Sequence, residues 1–328
     1  MRFVLRRTGF FLLTLWVALT LNFVLPRLMP GNPALAAIAN HKGALSPQAL
    51  KALEAQFGLN EHQNLLAQYV KYLGDVATGN FGASLTTQPG NSVGRIVLDA
   101  IPWTLGLVGL TTVLAFILGT GIGIVSGWWR GGRMDSVAPP VLVIASAIPY
   151  FWVGMMFILI FGVKLQWLPW SGSADITATP GWSLDYVGNV LEHAVLPAMA
   201  LLITTIGTWT LIMRNNMIST LAEDYVRMAH AKGLPSSRIM LDYAARNAVL
   251  PNLTGFAMSL GFVVGGAILI EYVFNYPGVG YMLLQAVENE DYPLMQALFL
   301  LITVAVLVAI LLADIATAVF DPRTRSAQ

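Results

Sequence analysis

The sequence contains no cysteine, so disulfides and thiol chemistry are excluded. Charge is scarce as well: Asp, Glu, Lys and Arg make up 11% of the 328 residues, against about 25% in a typical soluble domain. The net charge of +1 offers no basic surface for a nucleic acid. The lysines are followed by Gly43, Ala52, Tyr72, Leu165 and Gly233. A phosphate-cradling loop needs Ser or Thr there, so no such loop exists. His41, His62, His193 and His230 are scattered without metal-ligand spacing. No Ser-His-acid arrangement stands out. The expectation is a chain with no catalytic residue, no metal site and no cofactor of its own.

What is abundant is apolar surface. Apolar residues reach 56%, with a mean hydropathy of +0.67. A soluble core of this size has no use for so much, and a bilayer does. A spanning helix needs about 20 apolar residues. Windows free of charge and long enough are Thr8–Pro26, Ile101–Trp129, Ser136–Val163, Ala194–Met213, Asn247–Ile270 and Tyr292–Ala313. Six transmembrane helices are predicted, in an all-α membrane protein, because only helices satisfy their own backbone in lipid. A cleaved leader ending at Ala34–Ala36 is the rival reading of the first window. Leader cores run about 7–15 residues, so the longer window is expected to be retained.

Arginines and lysines set the orientation. With the N-terminus cytoplasmic, most of them fall inside, among them Arg2, Arg6, Arg7, Arg130, Arg133 and Arg214. Both termini are then cytoplasmic. The expected layout is an N-terminal tail and first span over 1–28, an extracytoplasmic segment over 29–100, and a five-helix core over 101–328 with a cytoplasmic loop over 214–250.

No charge lies deep in any window. A proton- or sodium-coupled carrier usually holds a carboxylate there. Glu271 and Asp314 sit at window ends and read as headgroup-level residues. A self-contained channel or carrier is the disfavoured alternative, and energy for uphill transport must come from elsewhere. Gly119, Gly123 and Gly127, and again Gly261 and Gly265, are spaced for close helix packing.

One polar island interrupts the oil: EDYVRMAHAKGLPSSRIMLDYAARNAVLP, from Glu223 to Pro251. Met217, Leu221, Tyr225 and Met228 recur at helical spacing and predict one apolar stripe. Gly233 is expected to end that helix. Pro235 blocks its continuation, and Ser236 or Ser237 is expected to cap the next. Such a helix, turn and helix either lies on the membrane or plugs into a cleft of a soluble partner.

DYVRMAHAKGL followed by RNAVLP resembles the cytoplasmic loop of binding-protein-dependent ABC importer permeases. MPGNPA, FGLNEHQNLLAQYVKYLGDVATGNFGASL, FNYPGVGYMLLQAVENEDYPLMQA and DPR extend the resemblance over nearly the whole chain, to the B-type permeases of the dipeptide, oligopeptide and nickel group. Asn32 stands where that group has Asp, and FNYPGVGY replaces a Trp-containing version. The resemblance implies the type I ABC importer permease fold and a multi-pass place in a bacterial or archaeal plasma membrane. It implies a heterodimer with a second permease, two ATPase subunits carrying ATP and Mg, and an extracytoplasmic solute-binding protein. The cargo would be peptides, with oligosaccharides or nickel as alternatives. Asp224, Tyr225, Arg227, Met228, Ala229, Lys232, Gly233 and Leu234 would form the loop that couples to the ATPase. Asn275, Tyr276, Pro277, Gly278 and Gly280 are expected to form an outer loop or gate, with Pro277 and Gly278 in a tight turn.

Overall fold

The computed structural model describes residues 2–28, 64–265 and 267–320. The motif from Met29, with Asn32 and Ala34–Ala36, lies outside the described residues, as does the DPR stretch. Among the described residues the regular structure is helical, apart from an isolated bridge between Ala83 and Ser92. The helices are α1 (Arg2–Leu28), α2 (Leu65–Ala77), α3 (Val93–Trp128), α4 (Arg133–Ser146), α5 (Tyr150–Lys164), α6 (Leu184–Leu221), α7 (Asp224–Ala231), α8 (Ser236–Gly265), α9 (Ile268–Val273), α10 (Val279–Glu288) and α11 (Tyr292–Phe320).

Helices α3, α6, α8 and α11 through Leu311 are long and apolar enough to cross a membrane. The third window departs from expectation. It is not one straight span but α4 and α5, bent by 93°. Pro149 is the cause in the sequence: it lacks an N–H, holds φ −58° at the start of α5, and disfavours helical backbone at Ile148. Counted as one broken span, the pair is a fifth crossing. The apolar part of α1, Thr8–Val24, is shorter than the others.

The glycine spacing works as expected. A Cβ on Gly119 would lie 2.7 Å from Trp209 Cβ, on Gly123 2.6 Å from Met213 Cβ, and on Gly127 2.5 Å from Met217 Cβ. These glycines let α3 lie flush on α6. Gly207 does the same for α6 against Leu142 and Ser146 of α4, and Gly261 for α8 against Ala309 of α11. Asp135 at the start of α4 takes both Nε and Nη2 of Arg214 on α6, the latter at 3.0 Å, and the Gly131 N–H at 2.9 Å. Part of the segment that follows α1 folds back on it. Tyr69 of α2 meets Phe23 edge-on at 5.1 Å and shares a hydrogen bond with Thr20 at 2.7 Å. Asn22 and Gln296 exchange side-chain-to-backbone bonds that fasten α1 to α11.

Candidate functional site at the two ends of one helix

Two groups of the predicted residues lie at opposite ends of α8. That helix has 30 residues, so at 1.5 Å per residue it runs about 45 Å.

At its start is the polar island. Helix α6 stops at Leu221, the chain turns at Ala222 and Glu223, and α7 follows as a separate helix. The stripe read from the sequence is therefore cut. Met217 is buried and Leu221 half-buried on α6, while Tyr225 and Met228 of α7 face outward, 39% and 58% exposed. The face of α7 that packs inward is Val226 and Ala229, which bury against Ile239 of α8, with Trp128 and Tyr243 beside them. Trp128 also stacks on His230 at 6.2 Å. The periodicity signal failed because it assumed one helix where the turn makes two.

Gly233 ends α7 at φ +70°, the left-handed backbone that favours glycine. Its N–H reaches His230 O at 2.9 Å, and Leu234 N–H reaches Ala229 O at 3.4 Å, which closes the helix. A Cβ there would meet nothing within 4 Å, so the demand for glycine is conformational rather than steric. The expected serine cap is absent: Pro235 occupies the cap position of α8 without a side-chain bond, and Ser236 is already helical.

Of the predicted loop residues, Asp224, Tyr225, Arg227, Met228, Lys232 and Gly233 are exposed. Ala229 is buried and Leu234 half-buried, so these two position the helix rather than present it. Arg227 and Asp224 pair at 3.7 Å on the surface, a contact worth little by itself. Tyr225 is held by its hydroxyl, which accepts from Asn247 Nδ2 at 3.0 Å.

Past the far end of α8 lies the hairpin of α9 and α10. Asn275 has φ +50°, and its Nδ2 donates to Ser171 Oγ at 3.0 Å. Gly278 N–H bonds Tyr276 O at 2.7 Å, a three-residue turn centred on Pro277. Tyr276 is buried, edge-on to Trp103 at 5.8 Å. Gly278 has an ordinary φ of −86°. It is glycine because a Cβ would strike the Glu271 carboxylate and Thr104 Oγ1. A Cβ on Gly280 would lie 2.6 Å from Ile268 Cα.

The residue behind this crowding is Glu271, which is fully buried within the protein. Its Oε2 accepts the Gly280 and Tyr281 N–H groups at 2.8 and 3.1 Å, capping the first turn of α10. Thr104 Oγ1 donates to its Oε1 at 2.8 Å. Burial drives the Glu271 pKa up to about 7, against the lowering effect of those three donors. Asp291 is a second carboxylate at this end, also fully buried. An acid just before an apolar run is a readable helix-start signal, and Asp291 does accept from Leu294 N–H at 3.4 Å. Asp314 lies where side chains are not described.

A chain of apolar helices with an outward-facing polar helix at one end and a carboxylate-braced hairpin at the other is built as a membrane component. The match to family models agrees. The model of the binding-protein-dependent transport system inner membrane component covers residues 119–326, and that of its N-terminal part covers residues 1–108. The chain belongs to this family and is a membrane permease subunit. It is 34% identical to the di/tripeptide transport system permease protein DppB of Pseudomonas aeruginosa over 98% of both chains. It is 31% identical to the oligopeptide transport system permease protein AppB of Bacillus subtilis, again over 98% of each. With the glutathione transport system permease protein GsiC of Escherichia coli it shares 30% over 99% of each.

Proposed function

We propose that this chain is one half of the translocation pathway of an ATP-driven peptide importer. The observation that carries the reading is α7: clamped on its inner face by Ile239 and Trp128, and bare at Tyr225 and Met228. A helix so held can push on what it supports without bending away. In the proposed assembly it seats in a groove of an ATPase subunit, one of two, which bind ATP and Mg. Closure of those subunits moves α7, and α8 carries the motion to the outer hairpin. A second, different permease supplies the other half of the pathway, and an outer solute-binding protein delivers cargo to the hairpin and the 29–100 segment. This requires six crossings with both termini cytoplasmic, α1 and the broken α4–α5 pair being two of them. Peptide cargo is supported by relatives named for di/tripeptides, oligopeptides and glutathione.

Gly233→Val tests the coupling role. A side chain at positive φ costs roughly 1 kcal/mol or more locally, and open space around it spares the six helices. The variant should insert normally, lose ATPase co-purification and lose peptide uptake. Normal co-purification together with normal uptake would overturn the assignment.

A further inference from the structure

The outer hairpin from Glu271 to Asp291 is tied at both ends by a buried carboxylate, and the two ties are unequal. At its C-terminal end one Asp291 oxygen accepts Ser84 Oγ at 2.5 Å and the N–H groups of Leu85, Thr86 and Thr87 at 3.2, 3.3 and 3.0 Å. All these donors lie outside the hairpin. At its N-terminal end, Glu271 spends two of its bonds on Gly280 and Tyr281, which belong to the hairpin itself. Among the described residues, one side-chain hydrogen bond of Glu271 reaches outside the hairpin, accepted from Thr104 Oγ1 of α3. The same hydroxyl accepts Val279 N–H at 2.7 Å. A single oxygen atom therefore joins α9 and α10 to α3. It sits where α3 changes register: Leu105–Gly109, the next five residues, are π-helical. Such a turn carries an extra residue that an α-helix can absorb or release, and it recurs at functional sites. The tip is bonded besides to the neighbouring outer loop, Gly172 N–H to Phe274 O at 2.8 Å.

We propose that Thr104 is a positioning residue of the outer gate: its hydroxyl latches the hairpin to α3, and the gate opens by breaking that bridge while Asp291 stays as the pivot. The proposal rests on the hairpin being the outer gate. The bridge itself is cheap to break, because water can replace the hydroxyl at Glu271 and Val279 once the site faces outward; the apolar cluster that holds Val279 and Leu283 with Val93, Ile96 and Val97 must part with it. Four backbone and hydroxyl donors to Asp291 would all have to break for the other end to move first.

The absence of native cysteine makes a direct test possible. Val279 is fully buried, and its N–H survives substitution. Val279→Cys is placed in the transporter assembled with its second permease and ATPase subunits, then exposed to a membrane-impermeant maleimide from outside. Trp182→Cys, at a position 99% exposed, is the control for orientation. With Thr104 intact, V279C should react slowly at rest and quickly once ATP and the loaded binding protein are added. Adding Thr104→Val should raise the resting rate about 10- to 100-fold, the factor that losing two buried hydrogen bonds gives. Thr104→Ser should restore protection and coupled uptake. A T104V rate equal to that of the parent, a T104S rate equal to that of T104V, or no response to ATP and binding protein with Thr104 intact would overturn the latch. If W182C reacts only from the cytoplasmic side, the outer-gate reading falls and the latch with it.

Discussion

Single atoms decide the chemistry of the hairpin. Glu271 is ordinary as a letter and unusual as a group, since its carboxylate is fully buried with neutral donors only. The titratable side chains whose charge couples to it are Tyr150 of α5 and Tyr276. Because burial raises its pKa to about 7, the folded hairpin holds the proton more tightly than the unfolded chain does. The sign follows: this contribution to hairpin stability is full below the ordinary carboxylate range and is lost as pH rises through about 7. Protection of V279C, normalised to W182C, should therefore decline as pH rises through that value. In Glu271→Gln the decline should vanish; a wild-type slope in that variant would remove Glu271 as the titrating group.

At the scale of the element, small residues set how helices meet. Gly123 and Gly121 lie two positions apart on α3, yet only Gly123 faces α6, with Met213 Cβ 2.6 Å from where its own Cβ would be. Nothing lies within 4 Å of a Cβ on Gly121. Gly123→Ala should destabilise by about 1–3 kcal/mol through overpacking. Gly121→Ala should be neutral, or stabilising by up to about 1 kcal/mol, through helix propensity alone. Thermal unfolding of the two purified variants measures the difference, and equal midpoints would contradict the seam. The same reasoning separates the faces of α7. Val226 and Ala229 hold the helix in place, and Tyr225 and Met228 are left for a partner.

For the whole molecule the question is which end faces which compartment. The proposed orientation puts Trp182, 99% exposed, outside and Met228, 58% exposed, in the cytoplasm. In intact cells, Trp182→Cys should label with an impermeant maleimide and Met228→Cys should label only after lysis. The reverse pattern would invert the orientation. Helix α8 is the element that starts in the polar island and ends one residue short of the stretch that leads into the hairpin.

The sequence by itself determined the solvent, the class and the location of the polar island and the hairpin. Composition forces a membrane, charge-free windows place α3, α6, α8 and α11, and Gly233 followed by Pro235 marks the end of α7. Those features depend on neighbours along the chain, which a sequence displays. Tertiary structure decided the rest. The third window became two helices, α4 and α5, bent by 93° at Pro149. The stripe through Met217 and Met228 divided because a turn points the two segments differently. Gly278 proved to be small for the sake of a carboxylate seven residues back and a hydroxyl on another helix. Glu271 and Thr104 are 167 positions apart. No local pattern joins them, because a hydrogen bond between distant segments depends on how helices are stacked and leaves no periodicity in either one.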